Sequence, residues 1–327
     1  MKHVFSWSAV VLATAIAVPT LSADVKTREK TTFSLEGFAG GVVRLFGGRA
    51  AREGIEATVA VRGDRKASLN SMNGRIVDLS EQKVYDIDVR RKEYTVVTFA
   101  QLREQFEKAK AEAEKRAAEA KPEEKEQVEQ AGRQLEFDVK VDETGQKKSL
   151  AGYDTREVVL TVTGREKGKT LEESGGFVLT STMWLGPRIA ALDEMYQFEL
   201  RFVKAVYGES FAADMQQMAG MMAMYPSFAT MANRMQAEGR KLQGTALSTT
   251  MVFEGVKSAE QMKEASSSQQ SGGGGGLSGA LGRRLMGNRG QPQARSKVLT
   301  TTHELLSVNT TVTDGDLAIP AGYKEKK

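Results

Sequence analysis

Apolar and polar residues alternate with a period of two over most of this chain. Ile55, Ala57, Val59 and Val61 are separated by Glu56, Thr58, Ala60 and Arg62, while Leu135, Phe137, Val139 and Val141 are separated by Glu136, Asp138, Lys140 and Asp142. A strand with this rhythm has one dry and one wet face, as in an antiparallel sheet packed on one side. The same test predicts strands over Arg75–Leu79, Val84–Asp88, Tyr94–Phe99, Glu157–Thr163, Phe177–Leu185, Thr245–Glu254 and Lys297–Thr313. Turn chemistry at Asn73-Gly74, Arg90–Glu93, Glu143-Thr144-Gly145 and Gly175-Gly176 punctuates them. Strands in this order form a meander, which predicts a curved sheet or partly open barrel.

Three insertions change the rhythm. Gln101–Gln134 is rich in Ala, Glu and Lys, with Glu104 and Lys108, and Glu112 and Arg116, at helical spacing. Its apolar stripe is thin (Leu102, Phe106, Val128), so it predicts a solvated helix or helical hairpin divided at Pro122. Pro187–Leu242 is also helical, and Leu192, Met195, Tyr196, Phe202, Val203 and Val206 mark a face to bury. Ser266–Ser296 is Ser, Gln and Gly with five consecutive glycines, and predicts a flexible loop. Residues 24–327 therefore read as one α+β domain carrying helical insertions at 101–134 and 187–242 and a loop at 266–296.

The start of the chain adds a destination. Lys2 and His3 precede an apolar run, Ser8–Val18, followed by Pro19 and the small residues Ser22 and Ala23. That order predicts a cleaved signal peptide over residues 1–23 and a periplasmic or secreted protein. The run is too short for a bilayer core of ~30 Å, which needs about 20 apolar residues. With no cysteine anywhere in 327 residues, neither disulfides nor a lipoprotein anchor are available.

Composition also narrows the chemistry. The chain has two histidines, one of them in the expected leader, so a Ser-His-Asp triad would have to use His303. A zinc site normally needs several Cys or His ligands. The charge balance, 46 Lys plus Arg against 42 Asp plus Glu, gives no case for nucleic acid. Asp86 and Asp88 alternate with Tyr85 and Ile87 and would share one face, as paired carboxylates must for glycoside hydrolysis. The alternation assigns them to the wet face opposite the core, and His303 beside Glu304 to the surface. These features predict a non-enzymatic protein without a cofactor.

Two patterns point to binding instead. Met215, Met218, Met221, Met222 and Met224 crowd the second insertion, and thioethers suit either irregular apolar partners or, through Met215, Met218, Met221 and Met224, Cu(I). Between Glu264 and Glu304 there is no acid, yet Arg283, Arg284, Arg289, Arg295 and Lys297 lie there. Such a loop can contact an anionic membrane surface or an envelope partner, at ~1 kcal/mol per basic residue.

Some longer segments resemble a family of uncharacterised exported bacterial proteins and, more distantly, the periplasmic lipoprotein-carrier (LolA/LolB-like) superfamily. Arg75–Phe99 is similar to that family's repeated hairpins, and Lys148–Val159 to its Gly-Tyr-x-x-Arg segment. Trp184 followed by Glu194, Tyr196 and Phe198 resembles its tryptophan strand leading into a helix, and Leu317–Lys324 its Pro-x-Gly-Tyr-Lys close. The resemblance implies a strongly curved half-barrel with helices covering the concave side, and in the carriers that hollow holds acyl chains. The expected role is therefore a carrier or sensor of a lipid or other apolar ligand. Met218, Met221 and Met222 would form a lid, faced by Trp184, Phe202 and Phe177 from the sheet or the adjoining helix. The alternative is an envelope scaffold that works through the charged helix and the basic loop.

Overall fold

The computed structural model describes residues 24–35, 53–119, 134–223, 226–264 and 293–326. The expected leader, most of the glycine-rich loop and residues 120–133 lie outside the described residues. The strands are β1 (Val25–Leu35), β2 (Ile55–Arg62), β3 (Arg65–Asn70), β4 (Asn73–Asp78), β5 (Lys83–Asp88), β6 (Glu93–Thr98), β7 (Leu135–Leu150), β8 (Tyr153–Glu166), β9 (Gly176–Gly186), β10 (Thr245–Val256), β11 (Arg295–Asn309) and β12 (Lys324–Glu325). The helices are α1 (Phe99–Glu119), α2 (Leu171–Ser174), α3 (Ala191–Ala223), α4 (Pro226–Glu238) and α5 (Asp314–Leu317).

All twelve strands form one sheet in the order β12-β6-β5-β4-β3-β2-β1-β11-β10-β9-β8-β7. Pairing is antiparallel except where β12 runs parallel to β6. The order is open, with β12 at one end and β7 at the other. The chain is thus α+β, and the first described strand lies in the middle of the sheet between β2 and β11.

Local chemistry explains where the turns fall. β4, β5 and β6 repeat every ten residues, and two of their turns are built alike. Asp78 Oδ1 accepts from the Glu81 amide at 2.9 Å and the Ser80 hydroxyl at 2.6 Å. Asp88 Oδ1 accepts from the amides of Arg90 and Arg91, both at 3.0 Å. Each turn ends on a left-handed residue, Gln82 or Lys92. Asn73-Gly74, by contrast, is no turn and pairs inside β4. Asn70 closes the chain two residues earlier, its side-chain oxygen accepting from Met72 and Asn73. Glu143-Thr144-Gly145 is an irregularity within β7, and the reversal comes at Ala151-Gly152, where both φ angles are positive.

Two clusters sandwich the half of the sheet from β1 to β5. On one face Val25, Val61, Val77 and Val84 pack under Phe99 of α1 and Phe198 and Val206 of α3. On the other, Ala60, Ala67, Ile76 and Ile87 lie under Val312, Leu317, Ile319 and Tyr323 of the C-terminal segment. The run Lys297–Thr313 therefore stops pairing at Asn309, and its remainder starts this cover. At the far end, α4 runs along β7 and shields that edge, with Arg234 3.5 Å from Asp138. Gly208, at φ 66° and ψ −160°, breaks α3 into two segments.

Candidate functional site

Two regions of the helix-bearing face are left open, and they differ in chemistry. The first lies on β3–β6, beyond the valines that the helices cover. Strand register lines up Ser68, Arg75, Asp86 and Thr95 in one row and Asn70, Asn73, Asp88 and Glu93 in the next. They border an open cleft of about 520 Å³ that Arg91 and Lys326 help close. Arg75 Nε donates to Asp86 Oδ1 at 2.7 Å, and this bond, with the nearby carboxylate charge, raises the guanidinium pKa against the effect of burial. Asn70 Nδ2 donates to Asn73 Oδ1 at 2.7 Å. Among the described residues no cluster of three or more His, Asp or Glu is arranged to hold a metal ion.

Asp86 and Asp88 do share a face, but not the one expected. They stand on the side of Val84, which the helices cover, rather than opposite the core. The alternation rule failed because each face of this half of the sheet carries an apolar cluster beside open surface, so neither parity alone marks the wet face. Tyr85, on the other face, donates to Glu81 at 2.5 Å. Burial and that carboxylate push its pKa up to about 12.

The second region is apolar and crosses β7, β9, β10 and β11; it is buried at Phe137 on β7 and opens toward β10 and β11. Phe137 and Phe177 have ring centroids 6.2 Å apart, and Phe177 and Phe253 5.6 Å. Between Phe137 and Phe177 in the register stands Gly164 of β8, where a Cβ would meet the Phe177 ring at 2.3 Å. The glycine is what lets the ring lie flat across its neighbour strand. Leu299 pairs with Phe253 and Leu35 with Leu299, which extends the row to β1. Beside it Met251 is 39% exposed and Val298 42% exposed. Met251 shares its face with Phe253, two residues on.

The expected site residues do not meet in one place. Phe177 belongs to the apolar row, but Trp184 is seven residues further along the same strand and so points to the opposite face. There it stacks under Lys148, whose Nζ is 3.8 Å from the ring centroid. Phe202 packs edge-on against Phe99 at 5.4 Å in the helix-covered core. The side chains of Met215, Met218, Met221 and Met222, and all of Met224, lie outside the described residues, as do Arg283, Arg284 and Arg289. Arg295 is exposed and lies 3.8 Å from Glu254. His303 is exposed, 3.2 Å from Glu29.

Sequence reasoning missed Phe253, Phe137 and Leu299 as companions of Phe177. The signal was present: Gly164 is a lone glycine in a strand pattern, which marks close approach of a neighbour. Among the described residues no helix is long and apolar enough to cross a membrane. Compared with known proteins, the chain matches no family model and no curated protein.

Proposed function

We propose that the protein is an exported, non-enzymatic binding protein that holds an acyl chain or similar apolar ligand against the aromatic row of β7–β11. One observation carries this reading: Phe137, Phe177, Phe253, Met251 and Leu299 share one face of adjoining strands, where Phe137 is buried, Phe177, Phe253 and Leu299 are partly buried and Met251 is 39% exposed. A large uncovered apolar patch is costly in water and marks a contact surface. From β7 to β1 the track crosses five strand spacings of ~4.8 Å, about 24 Å in all. Each methylene that a ligand buries along it contributes ~0.8 kcal/mol. In this reading the sheet curves as a half-barrel with the track on its concave side, as the lipoprotein-carrier resemblance implies.

Native mass spectrometry and lipid extraction of protein taken from a bacterial periplasm test the proposal. Bound acyl chains are expected, together with uptake of a fluorescent fatty acid that Phe253→Asp abolishes. Protein that is ligand-free and ignores the fatty acid sinks the reading.

One feature favours a second role, as a scaffold in the cell envelope. α1 packs on α3 near its start, where Arg103 Nε donates to the Val206 carbonyl at 2.8 Å and Phe106 meets Tyr207 at 5.0 Å. Most of its later described residues are exposed, and they carry pairs such as Glu112 with Arg116. Loss of envelope partners on removal of residues 108–119, with fatty-acid uptake intact, would support that role.

A further inference from the structure

We propose that the polar cleft on β3–β6 is a binding site for a neutral saccharide. The inference is independent of the apolar track, which lies on other strands.

Three properties argue for this ligand class. First, the cleft is balanced in charge: Arg75, Arg91 and Lys326 stand against Asp86, Asp88 and Glu93. A net anion or cation therefore gains little there over water, whereas a neutral molecule with many hydroxyls meets both partners it needs. Second, most of the side chains that line it are polar or charged. Ile87 and Tyr94 contribute only main chain, because their side chains pack under the C-terminal segment on the other face. The volume of the cleft, about 520 Å³, lies in the range of small-molecule sites, ~300–1,000 Å³.

Third, the groups are oriented before any ligand arrives. Arg75 spends one of its five N–H donors on Asp86 and keeps the others. Asp88 Oδ1 is held by the turn amides, which leaves Oδ2 as an acceptor, with Arg91 Nε 3.7 Å away. Asn73 accepts from Asn70 and retains its own amide donors. Donors on β4 thus stand beside acceptors on β5, one strand spacing of ~4.8 Å apart. A hydroxyl both donates and accepts, so neighbouring hydroxyls on a sugar ring can bridge the two strands. Because the partners are already fixed, little side-chain entropy is lost on binding.

The test uses the full processed chain and a panel of neutral sugars: chitobiose, cellobiose and maltotriose. Backbone amide shifts are followed by NMR, and affinity by calorimetry. Expected are shifts confined to Ser68–Thr95 and the C-terminal strand with at least one sugar. Arg75→Met and Asp86→Asn should each weaken that sugar about tenfold or more, because each removes a charge-assisted hydrogen bond. Arg234→Ala, at the far edge, should not. Both site residues are substantially exposed, and the shift map of the unaltered protein gives a readout independent of any variant. No shifts with any sugar, shifts centred on Trp184, or affinities indifferent to both substitutions would each overturn the proposal. So would a cleft that responds only to charged probes such as inorganic phosphate.

Discussion

The two ends of the sheet solve the same problem differently. From β2 to β5 both faces are covered over part of their length, so adjacent residues on one strand, Ile76 and Val77, are both buried. From β8 to β10 burial is less complete, and on the face opposite the aromatic row threonines predominate. Thr161 pairs with Thr180, and Thr182 pairs with Thr250, whose hydroxyl lies 3.1 Å from that of Thr302. Threonine keeps its β-branched preference for strands while its hydroxyl tolerates water. The two-sided end thus buries both parities of a strand, whereas the other end keeps Met251 and Val298 exposed beside its aromatic row.

Removing residues 311–327 should break this contrast most sharply. It uncovers Ala60, Ala67, Ile76 and Ile87 and deletes β12. The expected loss exceeds ~5 kcal/mol, the low end of whole-domain stability. Hydrogen exchange should show protection vanishing from β2–β6 before β8–β10, and uniform loss would mean that the two ends fold as one unit. Phe198→Ala comes next, at about 3–5 kcal/mol by denaturant unfolding, since it empties a fully buried site under α3. Phe253→Ala at the open end should cost much less, about 1 kcal/mol, while lowering fatty-acid uptake. If the two cost the same, the aromatic row is sealed core and not a binding track.

Gly164→Ala is expected to destabilise by about 1–3 kcal/mol, because the new methyl must displace the Phe177 ring. Acid should act mainly on the two-sided end. Burial alone would raise the pKa of Asp78, but the Ser80 hydroxyl, the Glu81 amide and Arg65 outweigh it and hold it below the usual carboxylate value. Burial opposes Lys26 and Thr313 in the same way at Asp316, which is also held low. A depressed folded-state pKa contributes stability above the unfolded value of about 4, lost as pH falls through the folded one. Thermal melts should therefore decline below about pH 4, and less steeply in Asp78→Asn. Arg234→Ala should have the smallest effect, under about 0.5 kcal/mol, because its ion pair with Asp138 is exposed.

Much of the architecture was readable from residue order. The strands at Ile55, Val84, Phe177 and Thr245 appear close to where alternation places them, because their apolar residues recur on one parity. β1 and β3 were not readable. Glu29 and Thr31 occupy the inward parity of β1, and Lys66 and Ser68 the same parity of β3, so neither carries a period-two apolar signal. The grouping of Phe177 with Trp184 could have been rejected at once, since an odd separation on one strand means opposite faces. Phe202 could not have been placed, because a helix residue's partner depends on how the helix crosses the sheet. The polar cleft was visible only as isolated acids. Register across β3–β6 turned Arg75, Asp86 and Asp88 into one surface, and register is a long-range property.

The position of β1 has a consequence for how this protein is made. Its partner on one side, β11, begins some 270 positions later in the chain by the register of Lys30 with Glu304. A nascent polypeptide emerging from the ribosome cannot zip this strand on both flanks until β11 has emerged as well. Such non-local closure is slow. Throughout the interval between the synthesis of β1 and that of β11, the chain offers an unfinished centre to any chaperone or translocase that acts on loose polypeptide.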